Sequence, residues 1–187
     1  MSGGTSWERQ KREIDAYNAF LSVYHSRRSE NGFSDRGFRL TNFFPPINNR
    51  FTEGRIEPDF TLYDGETLIL AEIKHGNNIE ERDINQVERL DSVTIDAAEE
   101  FLNYADVKER FGLSGDVYSV EPLIYYDGID SRYIQKCRDD WENCREMLEK
   151  LEGYCPLLGC EDNNRLQLMA GKFGSSTLTN WLEEGIK

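Results

Sequence analysis

The sequence predicts an α/β fold, and two observations carry that prediction. Short apolar runs bounded by turn signals alternate with longer stretches whose apolar residues recur at helical spacing. Near residue 64, two such runs are joined by Asp64-Gly65, a strong signal for an antiparallel hairpin.

Trp7 to about Arg28 reads as an amphipathic helix. Ile14, Tyr17, Leu21 and Tyr24 recur at three- and four-residue spacing, and Ala16, Phe20 and Val23 widen the stripe. Arg27 and Arg28 suit the negative end of the helix dipole, and Asn31-Gly32 forms a stop. Gly37 to Phe44 is the first strand, ended by Pro45-Pro46, which cannot continue a ladder. Pro45 to Arg55 reads as a loop. Phe60 to Tyr63 and Thr67 to Ala71 are the strands of the hairpin, with Asp64-Gly65 as a two-residue type I′ turn.

Residues 77 to 107 read as largely helical, on a broken stripe of Ile84, Val87, Leu90, Ile95, Ala98, Phe101 and Leu102. Val117 to Tyr126 is the next strand, and its proline marks an edge position or an irregular end. Ser131 to Leu151 is a helix, Arg165 to Ala170 a strand and Thr177 to Glu184 a closing helix. The expected order is α-β-β-β-α-β-α-β-α.

The hairpin also concentrates the chemistry. Chain reversal brings Asp59 beside Glu72 and Lys74, although 13 and 15 residues separate them in sequence. Glu72 and Lys74 are two apart, so a strand presents both on one face and Ile73 on the other. Two carboxylates on adjacent strands suit a hard divalent cation, and the neighbouring ammonium can hold a water or a phosphate oxygen. The competing reading is a solvated ion cluster on the outer face of a hairpin.

Pro58-Asp59 followed by Glu72-Ile73-Lys74 resembles the PD-(D/E)XK nuclease superfamily, which includes restriction endonucleases and archaeal Holliday-junction resolvases. The resemblance implies one domain over residues 1–187, whole or the N-terminal part of a longer polypeptide, with a restriction-endonuclease-like mixed central sheet flanked by helices. It implies Asp59 and Glu72 as ligands of Mg2+ or Mn2+, the Ile73 backbone carbonyl as a further ligand, and Lys74 at the hydrolytic centre.

Members often add an acidic group from the first helix. Glu13 is the candidate, with Glu53 and Glu57 as alternatives to it, and Glu13 also reads as a solvated charge. The cap-snatching viral endonucleases add a helix histidine, which makes His25 a candidate ligand beside its reading as a surface or capping residue. In the RecB branch, a glutamine after the Glu-x-Lys strand orients substrate or a catalytic group and is followed four residues later by tyrosine. Gln86 fits that place, but Leu90 stands where the tyrosine would be. Arg50 and Arg55, before the catalytic strand, and Arg82 and Arg89, two turns apart on a helix, are candidate backbone-phosphate contacts.

The implied activity is a divalent-metal-dependent endonuclease acting on DNA ahead of RNA, working as a homodimer or within a larger assembly. The alternative is a nuclease-like binding or structural module, a subunit of a larger nucleic-acid-processing or defence assembly. The net charge of -13 favours that alternative, because phosphate binding relies on basic surface. The charge is uneven, however. Residues 1–60 hold nine basic and eight acidic residues, a net of +1, leaving 13 basic and 27 acidic, or -14, for residues 61–187.

Hydrophobic residues make up 38% of the 187, enough for a buried core. The start of the chain, MSGGTSWERQKRE, lacks an apolar signal region, and no apolar run is long enough for a membrane span, so a cytoplasmic protein is expected. The four cysteines lack C-x-x-C spacing. Cys137 and Cys144, seven apart on a helix, would be about 10.5 Å apart along its axis, too far to share one tetrahedral zinc. Reduced, partly buried thiols are expected.

Overall fold

The structure, a computed structural model, describes Lys11, Ile14, Asp15, Tyr17, Asn18, Phe20, Leu21 and residues 37–43, 47–48, 55–75, 78–127, 136–152, 154, 157–162 and 165–170. The seven described residues between Lys11 and Leu21 are helical. The strands and helices that follow are β1 (Arg39–Phe43), β2 (Ile47–Asn48), β3 (Arg55–Ile56), β4 (Phe60–Tyr63), β5 (Thr67–His75), α1 (Glu81–Asp91), α2 (Ile95–Tyr104), α3 (Val107–Phe111), β6 (Ser119–Asp127), α4 (Trp141–Glu152), β7 (Leu157–Asp162) and β8 (Arg165–Ala170).

The fold is α/β. Six strands form one mixed sheet in the order β1-β4-β5-β6-β7-β8, with β5–β6 and β6–β7 parallel and the other pairs antiparallel. β5 lies at its centre and pairs with β6 along all nine of its residues. Its run Leu68-Ile69-Leu70-Ala71 is fully buried, as expected of a strand covered on both faces.

Alternation along β5 sorts its side chains between the two faces. Ile69, Ala71 and Ile73 pack with Tyr17, Phe20 and Leu21 of the N-terminal helical residues, and with Phe60, Leu62, Leu123 and Tyr125 of the neighbouring strands. Leu68 and Leu70 face the other way, toward Leu90 of α1 and Ala98, Phe101 and Leu102 of α2. Farther along that second face, Ile124 and Tyr126 of β6 meet Ile84 and Val87 of α1 and Leu148 and Leu151 of α4.

The hairpin reversal is longer than the expected two-residue turn. The last cross-strand pair is Tyr63 with Leu68, and the Asp64 carboxylate accepts from the N–H groups of Glu66 at 2.9 Å and Thr67 at 2.7 Å. Those side-chain bonds organise a wider Asx-type turn, with Gly65 at φ 111°. The expected loop from Pro45 to Arg55 contains a short ladder, Ile47 with Ile56 and Asn48 with Arg55. Both isoleucines are buried against the α1–α2 side, and that burial anchors the ladder.

Residues 77–107 break into separate helices. The first ends by Ser92, and Thr94 caps the second by accepting from the Ala97 N–H at 3.2 Å. β6 is an interior strand, not an edge. Its ladder with β7 begins at Leu123, one residue beyond Pro122, so the missing N–H falls before that pairing starts. The helix expected over Ser131–Leu151 is interrupted at Asp140, between helical residues 136–139 and α4. β7 was not expected from sequence, whereas β8 spans the residues read as a strand.

Cys137 and Cys144 are free thiols buried in the α1–α4 cluster. Cys155 and the closing helix expected at Thr177–Glu184 lie outside the described residues. Among the described residues, no helix is long and apolar enough to cross a membrane.

Phe60 joins the N-terminal helical residues to the sheet. It is fully buried, stacks on Phe20 with centroids 5.0 Å apart, and meets Tyr17 edge-on at 5.3 Å. Phe60→Ala should cost about 3–5 kcal/mol in urea unfolding; a loss under about 1 kcal/mol would contradict this packing.

Candidate functional site

The β4–β5 register builds the site. Phe60 pairs with Ala71, so Asp59, one residue before β4, stands opposite Glu72. Glu72 and Lys74 follow Leu68 and Leu70 on the face toward α1, and Ile73 turns to the opposite cluster. Buried residues at positions 84, 87 and 90 fix the rotation of α1 against the sheet, and this brings Gln86 over the end of β5.

Hydrogen bonds tie these side chains together. Lys74 Nζ donates to Glu72 Oε2 at 3.3 Å and also to Gln86 Oε1. Gln86 Nε2 donates to the same Glu72 oxygen at 3.4 Å. One amide thus touches both the ammonium and the carboxyl. Asp59 is held from two other directions: Ile73 N–H donates to Oδ2 and the Tyr17 hydroxyl donates to Oδ1, each at 2.7 Å.

The electrostatics are unbalanced. Glu72 is only 9% exposed, and burial raises its carboxyl from 4.5 to about 7, with the Asp59 charge and hydrogen bonding to Asp59 acting in the same direction and Lys74 opposing them. Two carboxyl groups therefore share a half-buried space with one ammonium. A proton is held there below about pH 7, and a divalent cation is the other way to balance the pair.

The donor set fits a hard ion of this kind. Mg2+ keeps several waters and is commonly bound through one or two carboxylates, and Mn2+ also favours oxygen ligands. Asp59 and Glu72 supply two carboxylates. Among the described residues, no cluster of three or more Asp, Glu, His or Cys groups is gathered, so Glu57 does not complete a three-acid site with them.

A cavity of about 430 Å³ opens beside Glu72, lined by Ile56, Glu57, Glu72, Gln86, Arg89 and Leu90. Glu57 and Arg89 are therefore close to the site as wall residues. Arg82 is not among the lining residues; its side chain is 77% exposed and paired with Glu80 at 2.8 Å. Arg82 thus stands outside the cavity wall that Arg89 lines, two turns away on α1. Arg55 lies in β3, with its side chain outside the described residues, as are Glu13, His25, Arg50 and Glu53 altogether.

Tyr17 is the site residue that sequence reasoning missed. It reads as one member of an apolar stripe, yet its hydroxyl reaches Asp59 across 42 residues of sequence. Comparison with family models, with curated proteins and with solved structures gives no match.

The raised Glu72 carboxyl makes stability depend on pH with a definite sign. Between 4.5 and about 7 the folded chain retains a proton that the unfolded chain releases, so metal-free stability falls as pH rises through that window. The full effect is about 3 kcal/mol, at about 1.4 kcal/mol per pH unit. Glu72→Gln removes this loss. In chelator, the variant should gain stability relative to the parent between pH 5 and pH 8 in urea titrations; a difference that stays constant with pH would contradict the assignment.

Proposed function

We propose that this chain is a divalent-metal-dependent phosphodiesterase that hydrolyses DNA, built on a restriction-endonuclease-like core. The observation that carries the reading is the convergence of Asp59, Glu72 and Lys74 at the end of β5, two carboxyl groups against one ammonium, beside an open cavity. The resemblance of Pro58-Asp59 and Glu72-Ile73-Lys74 to the nuclease motif supports it, as does a mixed sheet with helical residues packed on both faces.

Bound Mg2+ or Mn2+ would supply Lewis acidity, lowering the pKa of a coordinated water and offsetting charge on the phosphate. The chain's own groups have separate tasks. Asp59 and Glu72 present carboxylate oxygens from adjacent strands, and the Ile73 carbonyl lies between Glu72 and Lys74 in the same segment. Lys74 places a positive charge where a nucleophile is held or where negative charge develops on phosphate oxygen. The Gln86 amide keeps the Lys74 ammonium and the Glu72 carboxyl in a fixed relation. Arg89, on the cavity wall, offers a cationic contact for a neighbouring backbone phosphate. Cleavage of both strands of a duplex would call for two copies of a one-site domain, in a homodimer or within a larger assembly.

A second reading, a binding or structural module within a larger assembly, draws support from the net charge of -13, which suits a basic protein partner. Metal response and cleavage separate the two.

Linear, supercoiled and branched DNA, and RNA, should be tested with Mg2+, Mn2+ and Ca2+ in turn. DNA cleavage with Mg2+ or Mn2+ and inhibition by excess Ca2+ are expected, because the looser coordination of Ca2+ places the water poorly. Lys74→Ala should lower the rate by about 100-fold or more. A folded sample that cuts none of these substrates, or a Lys74→Ala variant as active as the parent, rules out the mechanism. Asp59→Ala should also abolish stabilisation by Mn2+ in thermal melting; a parent protein that shows no such stabilisation favours the binding module.

A further inference from the structure

We infer that Tyr17 is a positioning residue for the metal site, acting through the Asp59 carboxylate. This inference rests on the proposed metal-dependent reading and adds a residue that the nuclease-like motif does not contain.

A carboxylate has about four acceptor positions on its two oxygens. In Asp59 one is taken by the Ile73 N–H on Oδ2 and one by the Tyr17 hydroxyl on Oδ1, both at 2.7 Å. Those are short, charge-assisted contacts. Together they set the plane of the carboxylate from both of its oxygens, and its remaining acceptor capacity meets the Glu72 carboxyl, the group with which it would share a cation. With the Ile73 contact alone, the carboxylate is held at one oxygen and can rotate about its last side-chain bond, a torsion with a broad energy minimum.

The phenol is itself fixed. Its ring lies edge-on to Phe60 at an interplanar angle of 84°, and Phe60 stacks on Phe20. Phe60 directly follows Asp59 in the chain, so the packing that places the Tyr17 ring also places the backbone carrying the carboxylate. The bland alternative is that Tyr17 is a core aromatic whose hydroxyl takes the nearest acceptor. The two readings differ in what the hydroxyl does to cation binding.

Tyr17→Phe keeps the ring and removes the hydroxyl, so the variant retains the aromatic packing and folds. Leu21→Ala is the control, because Leu21 packs against the same cluster and has no part in the site chemistry. Parent and variants are melted across a Mn2+ titration, and the concentration giving half-maximal stabilisation is read. Tyr17→Phe should raise that midpoint about fivefold, equivalent to about 1 kcal/mol. Leu21→Ala should lower the melting temperature at every Mn2+ concentration and leave the midpoint within twofold of the parent.

A Tyr17→Phe midpoint within twofold of the parent overturns the inference, as does a shift in Leu21→Ala as large as that in Tyr17→Phe. Both outcomes leave the proposed metal site standing. A parent protein indifferent to Mn2+ overturns the metal site, and this inference with it.

Discussion

Two carboxyl groups held side by side in a half-buried place constrain everything around them. Like charges at such a distance resist joint ionisation, and burial sharpens the resistance because the low dielectric screens them less. Lys74 offsets one charge and leaves the other. The raised Glu72 carboxyl expresses this imbalance. It persists because the sheet register enforces it: Phe60, Leu62, Ile69 and Ala71 are buried on one face and Tyr63, Leu68 and Leu70 on the other. A one-residue slip of β4 on β5 would turn these sets outward and separate Asp59 from Glu72.

Three elements hold the acidic pair, each from a different direction. The N-terminal helical residues reach Asp59 through Tyr17, the β5 backbone reaches it through the Ile73 N–H, and α1 reaches Glu72 and Lys74 through Gln86. The alternation of β5 makes this arrangement possible. Ile73 is packed into the aromatic cluster on one face while its neighbours Glu72 and Lys74 turn to α1 on the other. The peptide between them is thus clamped by apolar packing on the side away from the chemistry, and the polar groups need not provide the rigidity alone.

The sequence made the centre of this arrangement legible because its signals are local. A hairpin with strong apolar strands predicts its own pairing, and a two-residue spacing on a strand predicts a shared face, so Asp59, Glu72 and Lys74 could be grouped without a structure. Gln86 was legible through its place on the following helix. The remaining features depend on distant partners. Tyr17 carries an apolar ring and a polar tip, and periodicity registers only the ring. β7 contains a glycine and ends in Glu161-Asp162, poor strand formers whose conformation comes from distant pairing, Gly159 with Tyr125 of β6 and Glu161 and Asp162 with Leu166 and Arg165 of β8. Pro122 lowered the rank of a strand that lies inside the sheet because nothing in the sequence shows where the β7 ladder begins. The wide turn after Tyr63 arises from one Asp64 carboxylate taking two N–H groups, a choice that dipeptide statistics do not resolve.

The cost of the acidic pair falls on the element that must stay in place for Gln86 to reach it. α1 is fixed at its start by a reciprocal capping box between Glu80 and Asp83. The same Asp83 carboxylate accepts from Tyr126 of β6 at 3.1 Å. Gln86 follows Asp83 by three residues and so lies on the same side of the helix one turn on. Fixing Asp83 to β6 therefore fixes the height of Gln86 along β5, because Tyr126 pairs with Lys74 in the parallel ladder. One register relation thus sets both the cap and the contact: β6 positions α1 by way of Tyr126, and β6 positions Lys74 by direct pairing. The polar groups at the site are aligned by bonds that lie outside it, and for that reason the unfavourable charge at its centre can be tolerated without loosening the fold.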